Sequence, residues 1–467
     1  MKPLTPYIAI SGAFERDNFG DLLFGIVTEK LLHPMPVVRV GLHSRSLEEF
    51  GSPSVYSTRA LTQFAKAHPP TAFLCVGGEL FMADPQNGMR FNTPPDLYQA
   101  YMRLLPPNRR RYTEMASGRA SGLAYVPWSD LNFHFPQEIP ILLNSCGGSS
   151  LADDPALTSQ VLSYLSDVNF LSVRDQRTLD SLQSDDRCRL APDVVTLIDE
   201  TCNEEVSAAK HDLLKENDLL SQPYLIFQAK DRYLNEPSSA AQAICSVANK
   251  YRLNVVFQPA GLASGHDSFE AMEQLGVLVN NGLVNTTSYV QRNRNVFCQV
   301  AALANASLVI ASSLHCRIIA AAYAVPRVTI SNGKVAAYIN TWESDLGMKT
   351  YALADIPKAV DTALSFPHDV WNMLRNTQVE LAKKNFASLR AHLPPRTYTD
   401  AVNAPLSTIK ESLLLLESEL LRRDLLSHVV ASESEGDRRL WRTKSRLRPY
   451  WQRLRRFLQP RQRSNSR

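Results

Sequence analysis

Short β-branched runs alternate with helix-patterned stretches along roughly the first 400 residues, and that alternation constrains the fold more than any other feature. It predicts helices layered on mainly parallel sheets. Strands are expected at Tyr7–Ser11, Val37–Leu42, Ala72–Val76, Ile141–Ser145 and Asn169–Val173. A polar, charged and partly helical gap follows, IDETCNEEVSAAKHDLLKENDLLSQ, with its break near 200–222. Strand patterns resume at Tyr224–Gln228, Asn254–Gln258, Leu308–Ala311 and Arg327–Ile330. The chain therefore reads as two α/β domains. Ligands in such domains bind outside the carboxyl ends of the strands, so two of them facing each other put a site in the cleft between. Beyond them, Val370–Leu393 and Ser407–Val430 read as helices, and Pro106–Ser121, with Arg109, Arg110, Arg111, Gly118 and Arg119, as an exposed or mobile insertion.

Composition adds position-dependent charge. The 467 residues carry a formal +4, yet Arg438–Arg467 holds twelve basic and no acidic residues. The body before it keeps 38 basic against 46 acidic side chains, a charge of −8. An acidic body with a basic appendage is a different object from a weakly basic protein. Seven scattered cysteines with no CxxC pair support neither a disulfide framework nor a structural zinc site. A reducing cytoplasm is the expected compartment, and the N-terminal run MKPLTPYIAIS is too short for a signal peptide or membrane span.

Four segments place chemistry at strand ends. In GAFERDNFGD, Asn18, Gly20 and Asp21 suit a helix start, whose free N–H groups make an anion or hydroxyl site. A well-capped first βα unit needs the same residues, and the glycine spacing is not that of a dinucleotide fingerprint. FLCVGGELF ends a buried strand in Gly77-Gly78, which suits either close approach to a ligand or a sharp turn. FLSVRDQRTLDSL delivers Arg174 and Asp175 to a strand's carboxyl edge; Arg174 could fork onto a carboxylate or phosphate, or pair with Asp175 or a Glu. The fourth, ASLVIASSLHCRIIAAAYAVPRVTI, carries Ser312 and Ser313 as caps and His315 in the first helical turn. A helix N-terminus lowers a histidine's pKa and attracts anions, so His315 suits a neutral base or an anion ligand. Lys230 and Arg232 in IFQAKDRY, and Lys334 in SNGKVAAYI, sit where a phosphate could be held, although solvated surface charge is the plainer reading of each.

Taken in order, these segments resemble the polysaccharide pyruvyl transferase family over about residues 7–350. The resemblance rests on G…NxGD, the VGG strand end, SVRD, Ala191-Pro192-Asp193, SSLHCRIIAAAYAVP and the downstream Lys334. It implies a GT-B-like α/β fold: an acceptor-side Rossmann-like domain (1–205) facing a donor-side one (222–365) across a cleft. Outside the resemblance, the residue pattern adds a helical extension (366–430) and a basic amphipathic tail (437–467). The resemblance also implies transfer of a pyruvyl group from phosphoenolpyruvate to two sugar hydroxyls of a polysaccharide or its lipid-linked precursor, forming a ketal. Under that reading His315 is catalytic. Arg174, Ser313, Arg317, Lys230, Arg232 and Lys334 bind the donor, and Asn18, Gly20, Asp21, Gly77 and Gly78 face the acceptor. No cofactor or metal is expected, phosphoenolpyruvate being a co-substrate. The chain departs from the family in having Ser313 where many members have Arg, and Cys316 where a smaller residue is usual.

Two other classes of function fit the same cleft: a transferase using a nucleotide-sugar donor, and a non-catalytic scaffold in glycan assembly. In the tail, Leu440, Trp441, Leu447, Trp451, Leu454, Phe457 and Leu458 recur at near-helical spacing among arginines, the pattern of an interfacial helix on anionic lipid. A solvated tail is the alternative. No recognition motif for nucleic acid accompanies the charge.

Overall fold

The computed structural model describes residues 6–83, 85–93, 95–117, 138–182, 185–216, 218–262, 266–394 and 406–434. The basic tail, Gly118 and Arg119 lie outside the described residues. The first domain holds β1 (Ile8–Ser11), β2 (Val37–Gly41), β3 (Tyr56–Ser57), β4 (Ala72–Val76), β5 (Ile141–Cys146), β6 (Phe170–Val173) and β7 (Arg189–Leu190). The second holds β8 (Tyr224–Gln228), β9 (Asn254–Phe257), β10 (Ser288–Val290), β11 (Leu308–Ala311), β12 (Arg327–Ile330) and β13 (Thr350–Tyr351). The sheet orders are β3-β2-β1-β4-β5-β6-β7 and β10-β9-β8-β11-β12-β13, and the pairings within them are parallel. Four strands escaped the sequence pattern: β3, β7, β10 and β13. They are the four sheet edges, each two or three residues long and too short to show alternation.

The central strands are buried on both faces, as parallel strands covered by helices must be. Along β1, Ile8 and Ile10 face one apolar cluster while Ala9 faces another. The larger cluster runs from Ile8 and Ile10 through helix α1 (Phe19–Leu32) into the second sheet, so the two domains share one core. The polar gap between them forms the helix Asn203–Glu216, whose Val206, Ala209 and Leu213 join that core.

The C-terminal extension clamps both domains. The helix His368–Arg390 sends Trp371 and Phe386 into the shared core, and Asn385 Nδ2 donates to Asn144 Oδ1 (2.8 Å) and Ser172 Oγ (3.2 Å) of the first domain. The helix Leu406–Ser434 returns to the first domain, burying Ile409 and Leu413 in the other cluster. The expected exposed insertion is a helix, Pro106–Ser117, in which Arg110 and Arg111 are exposed but Thr113 is buried and bonded to the Tyr101 hydroxyl at 2.9 Å. No helix among the described residues is long and apolar enough to cross a membrane.

Candidate active site

Each sheet reverses its winding once, between β1 and β4 in the first and between β8 and β11 in the second. Crevices at such switch points are where α/β folds bind ligands. The expected motifs follow these four strands: Asn18–Asp21 after β1, Gly77-Gly78 after β4, Lys230 after β8, and Ser312-Ser313-Leu314-His315 after β11.

The walls are stitched together beside the Asn18 loop. Asn18 bridges to Gly261, Phe19 N–H donates to Ala260 O (3.1 Å), Leu262 N–H donates to Asp17 O (3.1 Å), and Arg294 pairs with Asp17. A second seam joins Trp342 Nε1–H to Arg174 O (2.8 Å) and Gln176 N–H to Thr341 Oγ1 (2.9 Å).

His315 sits at the meeting of the two walls. Its ring packs edge-on to Phe24 of α1, centroids 4.9 Å apart, and a Cβ on Gly20 would lie 2.0 Å from its Cγ and Nδ1. The ring is buried, and Nε2 has no hydrogen-bond partner among the described residues. Burial pushes its pKa down to about 3; Asp21 opposes this, while Arg174, Lys334 and Arg16 reinforce it. The imidazole is therefore neutral at pH 7.

Asp21, also buried, is bonded by Arg16 at 2.5 Å. Burial alone would raise its pKa, but Arg16, His315 and Lys334 together bring it below the usual carboxylate value. Asn18 is used locally, its Oδ1 accepting from Gly20 N–H at 3.2 Å as the cap of α1. The missing side chains of Gly20 and Gly77 leave room for His315 and Phe24, whereas a Cβ on Gly78 would meet open space.

The cations fall into three groups. Arg174 reaches the cleft floor but is buried between Glu79, with which it pairs, and Asp193 at 3.4 Å. Of the pairings open to it in the sequence, the one with a Glu is realised, while Asp175 caps the next helix through Thr178 N–H at 2.9 Å. Burial holds Asp193 up at about 6 despite Arg174. Arg317 corrects the expectation of a donor ligand. It lies two residues beyond His315 and so on another side of the helix, where its guanidinium is sealed against Glu343 and Thr329 Oγ1 (2.7 Å). Arg232 is exposed and stacks over Tyr233 at 4.7 Å.

Lys230 and Lys334 form the third group. Both are half-buried, and neither ammonium has a carboxylate partner among the described residues. Burial lowers both, Lys334 to about 8, where Glu79 and Asp21 pull back against Arg174 and Lys230.

The two helices that open here lack side-chain caps. Ser313 and Asn332 occupy the cap positions of Leu314–Ala322 and Gly333–Trp342 without capping bonds, and Ser312 does not cap either. Asn332 instead donates to Ser312 O (2.9 Å), and Gln228 Oε1 accepts from Ser312 N–H (3.0 Å) and Ser313 N–H (2.8 Å). First-turn amides left this way favour anions.

Sequence reasoning missed Arg16, Phe24, Glu79, Gln228 and His266. His266 is half-buried near Lys230, Arg16 and Asp21, and burial with those cations pushes it down to about 4. Arg16, Glu79 and Gln228 lie inside motifs quoted above, which was their only signal, whereas Phe24 and His266 lie outside them. Among the described residues, no group of His, Cys, Asp and Glu is arranged to hold a metal.

Comparison with known proteins bears on this site. No curated protein matches the chain. Among solved structures, UDP-GlcNAc 2-epimerase from Neisseria meningitidis, bound to UDP-GlcNAc, aligns with a TM-score of 0.51 at 11% identity, over 84% of this chain and 100% of that one. The corresponding enzyme of Rickettsia bellii gives 0.49 at 11% identity, over 86% and 98%. At such identity the Neisseria likeness concerns the fold alone: two Rossmann-like domains in a GT-B-like arrangement. The family model for polysaccharide pyruvyl transferase matches residues 131–334. That span is narrower than the resemblance in the sequence; it includes Arg174, Asp193, Lys230, His315 and Lys334 but leaves out the Asn18–Asp21 loop and Gly77-Gly78. Over residues 131–334 the chain is thus similar to the polysaccharide pyruvyl transferases, a family of transferases.

Proposed function

We propose that the cleft transfers a pyruvyl group from phosphoenolpyruvate to two hydroxyls of a glycan or its lipid-linked precursor. One observation carries the reading: a neutral, buried His315, its Nε2 unpartnered among the described residues, feels Lys334, which in turn feels Lys230, and two helices without side-chain caps open beside these groups. The donor brings a carboxylate and a phosphate, which suit those ammonium groups and amides. In the first step an acceptor hydroxyl adds across the donor double bond. Its oxygen bonds to C2, its proton leaves to a base, and a proton added at C3 makes the methyl group. In the second, another hydroxyl oxygen bonds to C2 as the bond to the phosphate oxygen breaks; the hydroxyl proton passes to the departing phosphate, which leaves as inorganic phosphate as the ketal closes. His315 is the base for the hydroxyl proton, and Asp21 faces the acceptor beside it. Arg174 acts from beneath, fixing Glu79 near Lys334.

Acceptor-dependent phosphate release from phosphoenolpyruvate tests the reading. His315→Ala should lower that rate by about 10²–10⁴-fold. No release with the true acceptor, or an unchanged rate in the variant, would overturn it. The +12 segment 438–467 is proposed to hold the enzyme at an anionic, cytoplasmic membrane face. Full-length protein should then pellet with anionic vesicles and a 1–437 truncation should not; equal pelleting removes the tether.

A further inference from the structure

We infer that Phe24 and Gly20 of α1 are positioning residues for His315, seating an imidazole from the second domain in a notch of the first. A catalytic histidine is ordinarily oriented by a hydrogen bond from its second ring nitrogen to a carboxylate or carbonyl. Here no hydrogen bond to the His315 ring is found among the described residues, and the ring is held by shape. The Cγ–Nδ1 edge rests on the backbone of Gly20, so close that a methyl group there would stand 2.0 Å from both atoms. Nε2, the unpartnered atom, is the ring vertex opposite that edge. Phe24 meets the ring at an interplanar angle of 75°.

Phe24 is itself locked from behind. Its Cε1 lies 2.1 Å from where a Cβ on Gly77 would be, and Gly77 has φ +60°, a conformation glycine adopts without strain. The glycine at the end of β4 thus makes room for Phe24, Phe24 backs His315, and the glycine in the first turn of α1 receives its edge. Two glycines read in the sequence as turn and helix-start residues thus form one seat with Phe24, which that reading missed. Because seat and ring come from different domains, the site is complete only while the Asp17–Arg294 and Trp342–Arg174 seams keep the walls together.

The effect on turnover rests on the catalytic reading of His315, but the seat can be tested without turnover. In full-length protein with ¹⁵N-labelled histidine, His315→Gln assigns the His315 signal. The wild-type ring should stay neutral well below pH 5. In Phe24→Leu, which keeps apolar volume but removes the ring, and in Gly20→Ala, which crowds the edge, its midpoint should rise by about one pH unit or more as solvent reaches it. A merely structural role would lower the melting temperature and leave the titration in place. If both variants fold and titrate within about 0.3 unit of wild type, the seat has no such role; if one fails to fold, the other decides. Where the pyruvyl-transfer assay is active, kcat should fall about tenfold with donor KM unchanged. A shifted titration without turnover in any variant or in wild type would sink the functional reading and leave the seat standing.

Discussion

Two buried arginine clusters near His315, one acting on its ring and one reached from its own helix, have opposite charge balance. Beneath the cleft, one guanidinium, Arg174, is held by two carboxylates, Glu79 and Asp193. In the core behind the helix, two guanidiniums, Arg317 and Arg327, share the single carboxylate of Glu343. The core cluster is closed: its side chains are at most 1% exposed, and Arg327 stacks over Trp371 at 4.6 Å. The cleft cluster is open on one side, with the Glu79 side chain 26% exposed and acting on Lys334. Similar chemistry thus serves two ends. A sealed cluster can only tie the His315 helix to β12 and to the end of the Gly333–Trp342 helix, whereas an open one can also set the charge of a group facing the cleft.

That contrast can be broken at its closed end first. Glu343→Gln leaves two buried guanidiniums without a charge partner and should cost about 3–5 kcal/mol of folding stability, read by chemical denaturation. The alkaline limb of the pH–rate profile should stay where it is. Glu79→Gln should cost less, about 1–3 kcal/mol, because Arg174 keeps Asp193. That variant should shift the alkaline limb to lower pH, since Lys334 loses the carboxylate that most holds its proton. If the two variants exchange these signatures, the assignment of open and closed clusters is wrong.

The smallest effect concerns protons at the seat itself. A histidine whose folded pKa is depressed binds its proton more readily when unfolded, so its contribution to stability is present above pH 6.5 and lost as the pH falls toward about 3. Between pH 6.5 and 5.5 the loss from His315 is at most about 1.4 kcal/mol. His315→Gln should flatten that part of the stability curve without abolishing it, because buried His43, pushed down to about 4, has the same sign. A curve of unchanged slope would mean His315 is solvated.

Much of the architecture was legible. The nine longer strands match their apolar runs within a residue or two, because strands buried on both faces must be apolar throughout. The four edge strands were not, because two or three residues carry no period. Asn18, Gly77 and His315 do follow the ends of β1, β4 and β11, as their motifs indicated, since turns and helix starts need particular residue types. The sequence could not say that Gly20 and Gly77 make room for aromatic rings, or that Arg317 and Lys334, both expected to bind the donor, would part company. Lys334 opens a helix at the cleft, whereas Arg317 turns into the core toward Glu343.

The sequence by itself determined two parallel α/β sheets, where their loops gather, and which residue types stand at strand ends, because these follow from local periodicity and backbone conformation. Only the tertiary structure decided which cations lack partners and that the first domain seats the second domain's histidine. Those depend on helix rotation and on contacts across nearly three hundred residues of chain between Gly20 and His315, which no local pattern encodes.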